Sequence, residues 1–190
     1  MHRFTLLMIL LPLFLGGCGY NTLQIKEEQV FQAWHATEEA LQRRTSLIPS
    51  LVETVRVHTS QERETLQNII ERRSRAASIE IAPGDLSDAK AMNRMQTAQD
   101  DLASALSRLL LVVERYPGLK ENKNFADLRN QLKGAETRIS ITRRRYNQAV
   151  KEFNAAIRKF PNNMTNAILL NLERKEYLKA TAEVREAPQM

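Results

Sequence analysis

Few residues of this 190-residue chain could act as nucleophile or metal ligand: one cysteine, Cys18, and three histidines, His2, His35 and His58. Cys18 closes an apolar stretch and follows two glycines, a setting for acylation of its sulfur rather than for thiol catalysis. His35 and His58 stand 23 residues apart, each with a glutamate four residues on, Glu39 and Glu62. A metal site inside a helical bundle draws on Glu-x-x-His pairs converging from several helices, and neither histidine belongs to such a pair. Both are expected to be exposed or weakly paired. The chain has no glycine-rich phosphate loop and no serine or cysteine nucleophile motif, so the expectation is a protein that is not an enzyme and needs no cofactor or metal. What remains is charge, 28 Lys and Arg against 22 Asp and Glu, a net of +6. Arg72, Arg73 and Arg75 on one predicted helix and Arg144 on another are candidate contacts for an anionic ligand or partner, because a guanidinium binds carboxylate or phosphate through two parallel donors. Arg138, Arg143, Arg145 and Glu136 flank the apolar seam of their helix. With Glu53, Glu62 and Glu64 of a neighbouring helix they are candidates for a structural charge network that fixes alignment.

The surroundings of Cys18 define a compartment. Met1-His2-Arg3 is a short basic start, Phe4 to Leu15 is apolar except for Thr5 and Pro12, and Gly16-Gly17-Cys18 follows at once, the order of a secretory signal peptide. Twelve residues fall short of the roughly 20 needed for a spanning helix. Leu15-Gly16-Gly17-Cys18 resembles a bacterial lipobox. The resemblance implies cleavage before Cys18, a diacylglycerol thioether on its sulfur and acylation, with palmitate-type chains, of the new amino terminus. Two or three chains anchor a protein stably where one does not. Gly19 after the cysteine implies, by the same resemblance, an outer-membrane address in a double-membraned bacterium, with the chain facing the periplasm. Residues 1–17 are thus expected to be removed, and residues 18–21 to be a lipidated terminus with little tether. The remaining chain stays basic, with 27 Lys and Arg against 22 acids. On a membrane surface its partners would be lipid, an envelope protein or a wall polymer, and not nucleic acid.

Composition and spacing say what must position these groups. The chain is 43% hydrophobic and 26% charged, with only six glycines and six prolines, which disfavours a turn-rich β fold and points to long helices. The breakers Pro49, Pro83-Gly84 and Pro117-Gly118 divide residues 22–161. They predict helices from Thr22 to Arg44, from Ser46 to Ile81 with Pro49 in the first turn, from Asp85 to Tyr116, and from Asn124 to Phe160. A break is expected near Thr45, and Asn122 and Asn124 are expected as turn and cap residues. Met95, Ala98, Leu102, Ala105, Leu109, Val112 and Tyr116 follow an unbroken four-three spacing. So do Phe125, Leu128, Leu132, Ala135, Ile139, Thr142, Tyr146, Ala149, Phe153, Ala156 and Phe160. Leu106, Val113, Val150 and Ile157 widen these stripes, so each helix meets more than one partner. The fold class is all-α, an antiparallel bundle of about four long helical segments with an extra C-terminal helix from Met164 to about Glu186 in residues 162–190. Folding back near residue 120 would set Leu109 by Leu132 and Leu102 by Ile139. Gly134, outward on its helix, predicts close approach of another backbone, and Trp34 is expected in the core with Val30, Thr37 and Leu41.

Several strings then resemble the LemA family of bacterial envelope proteins. They are Tyr20-Asn21-x-Leu23, Ala33-Trp34, Arg43-Arg44-x-x-Leu47-Ile48-Pro49-x-Leu51-Val52-Glu53, Glu62-x-Glu64-Thr65-Leu66, Tyr116-Pro117-x-Leu119-Lys120-x-Asn122, Gly134-x-Glu136-x-Arg138-Ile139, Arg143-Arg144-x-Tyr146-Asn147 and Phe153-Asn154-x-x-Ile157-x-x-Phe160-Pro161. Together they cover residues 20–161. The resemblance implies a long-helix bundle on an N-terminal membrane anchor, with no catalytic residues or cofactor. The chain departs from the family where Leu170-Asn171-Leu172-Glu173-Arg174-Lys175 replaces a segment usually containing Gly and Phe, and in a lipidated rather than membrane-spanning start. The resulting expectation is a lipid-anchored adaptor or scaffold of the envelope. The alternative is a binding module for an anionic polymer or lipid through the arginine faces, and self-assembly into a homo-oligomer is a further possibility.

Overall fold

The computed structural model describes residues 2–59 and 61–179, with side chains from residue 19 onward. The side chains of the expected signal peptide and of Cys18 lie outside the described residues. The helices are α1 (His2–His58), α2 (Arg63–Ala77), α3 (Ala89–Val113), α4 (Pro117–Lys120), α5 (Lys123–Ala156) and α6 (Asn162–Thr165), with a 3-10 turn at Pro83–Ser87 and a π turn at Asn166–Leu170. No strand occurs among the described residues, and the long helices pack side by side as the periodicity predicts.

The expected break near Thr45 is absent, and α1 runs on through Pro49 to His58. Proline has no N–H and leaves the carbonyl four residues earlier without its helical donor. Here Arg73 Nε, from α2, donates to the Thr45 carbonyl at 2.9 Å, so the tertiary structure repairs the defect. Ser46 does not cap; its hydroxyl donates back to the Arg43 carbonyl at 2.8 Å. α1 ends instead at His58, Gln61 and Glu62 form a turn before α2, and α2 ends at Ala77 rather than Ile81. Asp88, not Asp85, caps α3 by accepting from the Lys90 and Ala91 amides, while Asp85 accepts from the Ala82 amide in the 3-10 turn. Asn122, not Asn124, caps α5 by accepting from the Phe125 amide at 3.0 Å.

One antiparallel register runs along α1 and α5. Lys26 pairs with Glu152, Trp34 stacks edge-on against Tyr146, Arg44 pairs with Glu136, and His58 meets Asn122. The residue numbers in each pair total 178 or 180. α2 returns along the upper part of α1, and α3 lies chiefly on α2. Unbroken α1 is the most extensive partner of α5. α3 shares the core with α5: Leu109 and Leu132 belong to one cluster, as folding back near residue 120 predicts, and Met92 and Met95 join Tyr146 and Val150 in another, while between them the two helices face each other across a groove. Trp34 is core, 2% exposed, with Nε1 donating to the Ile81 carbonyl at 3.2 Å.

The chain beyond Pro161 starts helical and then departs from expectation. Asn171 adopts a left-handed conformation, φ 50°, and ends the helix, as asparagine does with little penalty. Residues 171–179 are not helical and run back along α5 as a strap. The rest of the expected helix, residues 180–186, lies outside the described residues. Gly134 is also corrected: a Cβ added there meets nothing within 4 Å, so no backbone approaches it.

Candidate functional site

Helices α3 and α5 enclose a groove of about 520 Å³ whose lining includes Leu41, Leu106, Leu110, Leu132 and Ile139 together with Arg44, Asp100, Arg129, Lys133, Glu136 and Arg143. Its floor is built on Arg44, whose side chain is only 3% exposed. Arg44 Nη1 donates to Glu136 Oε1 at 2.9 Å. Nη2 donates to Gln99 twice, at 2.6 Å to Oε1 and 3.1 Å to the carbonyl, while Nε is buried without a hydrogen-bond partner. Gln99 in turn donates through Nε2 to the Ala76 carbonyl at 3.3 Å. One guanidinium thus ties α1, α3 and α5 together, and its planar fork is what permits this. Asp100 stands beside it, and burial raises its carboxyl above the usual range, opposed by Arg143 and Arg44. Burial likewise lowers Arg143, while Asp100 favours its charged form. Charge that has lost water and is balanced inside a mostly apolar lining is costly to leave badly matched, so the groove selects both for aliphatic surface and for placed polar groups.

One end of this region is closed by the strap, which side-chain amides bind as a neighbouring strand would. Asn154 donates to the Lys175 carbonyl at 2.9 Å and accepts from the Lys175 amide at 3.0 Å. Asn147 does the same for Leu178, at 2.7 and 2.9 Å. The spacing explains why both pairs form: seven helical residues rise about 10.5 Å, and three extended residues cover about 10 Å. Tyr146 donates to the Glu176 carbonyl at 2.9 Å, the Glu176 amide donates to the Leu86 carbonyl at 2.8 Å, and Arg143 donates to the Lys179 carbonyl. Burial, with Glu176 nearby, pushes the Tyr146 phenol well above its ordinary value. Lys175 is 7% exposed, pairs with Glu27 at 3.0 Å and lies over the rings of Phe31 and Phe153.

The residues singled out in the sequence are dispersed. Arg72 pairs with Asp101 at 3.0 Å, Arg73 serves the Thr45 carbonyl, and Arg75 and Arg144 are exposed. Arg72, Arg73 and Arg75 lie on α2, which α1 and α3 flank, whereas Arg144 lies on α5. The expected network divides in the same way. Glu136 pairs with Arg44, Arg143 serves the strap, Glu53 pairs with Arg56 within α1, and Glu62 accepts from Tyr116 and pairs with Arg115. The α1–α5 register sets Glu53 opposite residue 127, about 16 Å along the helix from Arg138, so Glu53 lies out of reach of the arginines at 138–145. Arg138, Arg145 and Glu64 are exposed. His35 lies 3.5 Å from Glu38, and His58 bridges the Thr54 carbonyl and Asn122. Among the described residues, no cluster of three or more His, Cys, Asp or Glu could hold a metal ion, and no helix is long and apolar enough to cross a membrane. Arg44, Asn147 and Asn154 lie inside the resembling strings, yet spacing alone does not mark them as a site; Gln99, Asp100 and Lys175 carry no motif at all.

Comparison with known proteins gives the fold a context. A family model described as the LemA family matches residues 33–190, which takes in the strap and the C-terminal tail. Magnetosome protein MamQ 2 of Paramagnetospirillum magneticum is 27% identical over 177 residues, covering 83% of this chain and 64% of the relative. Magnetosome protein MamQ of Magnetospirillum gryphiswaldense is 25% identical over 158 residues, 74% of this chain and 57% of the relative. Protein LemA of Metamycoplasma hominis is 24% identical over 143 residues, 75% and 61%. The chain spans less than two thirds of the length of each of these relatives, and their names denote no catalysed reaction.

Proposed function

Since this chain belongs to the LemA family, a group of helical, membrane-associated bacterial proteins, we propose that it is a lipid-anchored adaptor of the cell envelope. Cys18 carries the anchor in this reading, and the α3–α5 groove holds a partner away from the membrane. The carrying observation is the groove's place on an unbroken rod. Arg44 lies 25 residues along α1 from Gly19, about 38 Å at the helical rise, so a partner seated there stands roughly 4 nm above the anchored end. Its lining supports a protein occupant. Leu106, Leu110, Leu132 and Ile139 offer aliphatic surface, and Arg129 and Lys133 are exposed at the side, so the complementary segment carries aliphatic side chains flanked by a carboxylate.

Two measurements separate the parts of this reading. Intact mass of the protein from membranes, beside Cys18→Ser, tests the anchor: residues 18–190 with diacylglyceryl and acyl groups are expected, and an unmodified full-length mass refutes it. Photo-crosslinking in cells from Ser107 or Ser140, both at the groove, is compared with Thr137 on the exposed back of α5. A reproducible adduct with one envelope protein from the groove positions alone supports the adaptor role. Identical patterns at all three positions refute it.

A further inference from the structure

We propose that the elbow of residues 160–170 is a foot that seats in the lipid interface beside the anchor, with Phe160, Met164, Ile168 and Leu169 entering the boundary between headgroups and acyl chains. The four are 70%, 53%, 72% and 62% exposed. Phe160 is the last position of the four-three stripe in the sequence, but α5 ends at Ala156 rather than at Phe160, and Phe160 is exposed where the stripe from Phe125 to Ala156 is buried or half-buried. Clustered exposed apolar side chains on one short segment mark a contact surface.

The position of the elbow identifies the occupant. By the α1–α5 register, the end of α5 at Ala156 reaches the level of residues 22–24, and α6 lies against Gly19. A Cβ at Gly19 would stand 2.7 Å from Thr165 Oγ1 and 3.3 Å from Asn162 Oδ1, so this glycine lets α1 and the elbow meet closely. Cys18, which carries the lipid chains in the anchored protein, is the residue next to Gly19. The elbow is therefore at the height where the chain enters lipid. Tyr20 is exposed at the same level, and aromatic rings with a polar tip favour such an interface. Arg158 and Lys159, both exposed, precede Phe160 and suit an anionic headgroup layer. Beyond the elbow the strap turns back up α5, so residues 160–170 form the end of the rod.

The inference rests on the membrane anchoring proposed above, and the test separates the two. The full chain, expressed so that its own anchor forms, is reconstituted into phosphatidylethanolamine–phosphatidylglycerol vesicles, and the thiol introduced by Leu169→Cys, the one left free once the Cys18 sulfur carries its diacylglycerol thioether, is labelled with an environment-sensitive fluorophore. Leu111→Cys, on α3 about 55 Å along the rod and 73% exposed, is the reference. Both positions are exposed, so neither substitution opens the core. The expected result is flotation with the vesicles, together with a blue shift and several-fold stronger quenching by spin-labelled lipid at 169 than at 111. Flotation with identical, water-like signals at both positions overturns the foot and leaves the anchor standing. No flotation overturns both. Protection at 169 that follows protein density but not spin-labelled lipid assigns the surface to a second copy and also overturns the foot. A second variant, Ile168→Glu with Leu169→Glu, is expected to float and to remain folded by circular dichroism, while residues 160–170 exchange amide hydrogens on vesicles several-fold faster than in the parent. Equal exchange in the two proteins overturns the foot.

Discussion

At the scale of single residues, the weight of an interaction follows burial more than charge. Arg44 is almost wholly buried, whereas its partner Glu136 is 43% exposed. Arg44→Met removes three hydrogen bonds and leaves the half-buried Gln99 Oε1 without this donor, with an expected loss of about 2 kcal/mol. Glu136→Gln keeps an acceptor at a half-exposed site and is expected to cost about 1 kcal/mol or less. Urea denaturation of the two variants checks this, and equal losses would contradict it. Asp100 supplies a pH dependence of definite sign. Its folded-state carboxyl is raised by burial, so its contribution to stability is fully present below the unfolded value near 3.8 and is lost as pH rises through the folded one. Asp100→Asn lacks that dependence. Relative to the parent, the variant is therefore expected to gain stability between about pH 3.5 and pH 7, measured as the difference in denaturation midpoints; a relative loss over that interval contradicts the assignment.

At the scale of elements, α1 carries a proline defect that another helix corrects. Arg73→Met deprives the Thr45 carbonyl of its donor and is expected to cost about 1–3 kcal/mol. Adding Pro49→Ala supplies a helical N–H to the same carbonyl and is expected to recover most of that loss. A double-mutant cycle by thermal denaturation reads the coupling directly, and additive effects would show that Arg73 acts elsewhere. Gly134 offers a simpler case. It lies exposed in the interior of α5 with open space where a Cβ would sit, so Gly134→Ala is expected to stabilise by about 0.5–1 kcal/mol. A destabilised variant would mean that something covers this face.

At the scale of the whole molecule, the strap converts a set of helices into a closed body. Its anchors come from residues far apart in sequence: Leu86, Gln96, Asn147 and Asn154 all bind the backbone of residues 175–179. Asn154 is 5% exposed and makes both of its bonds to Lys175, so Asn154→Ala is expected to release residues 171–179 and to cost about 2 kcal/mol. Limited trypsin digestion then cuts at Arg174, Lys175 or Lys179 much faster than in the parent. Unchanged protection would show that the buried Lys175–Glu27 pair and Leu178 suffice.

Local periodicity and spacing determined much of this protein. Stripes such as Met95-Ala98-Leu102-Ala105-Leu109 specify α3 and its buried face because a helix repeats every 3.6 residues whatever it packs against, and the helices and their inward faces were legible on that ground. The strings from Tyr20 to Pro161 likewise identify the family. Only the tertiary structure decided the rest. A proline reads locally as a break, yet the Thr45 carbonyl found its donor 28 residues away; Arg44 stands in the sequence only as the end of a predicted helix and part of a resembling string until α3 and α5 surround it. The apolar cluster of Ile168, Leu169, Leu170 and Leu172 reads as part of a final helix, but an asparagine in the left-handed region and two asparagine amides on α5 turn the chain beyond Leu170 into a strap. In each case the deciding partner is distant in sequence, and spacing along one helix carries no information about it.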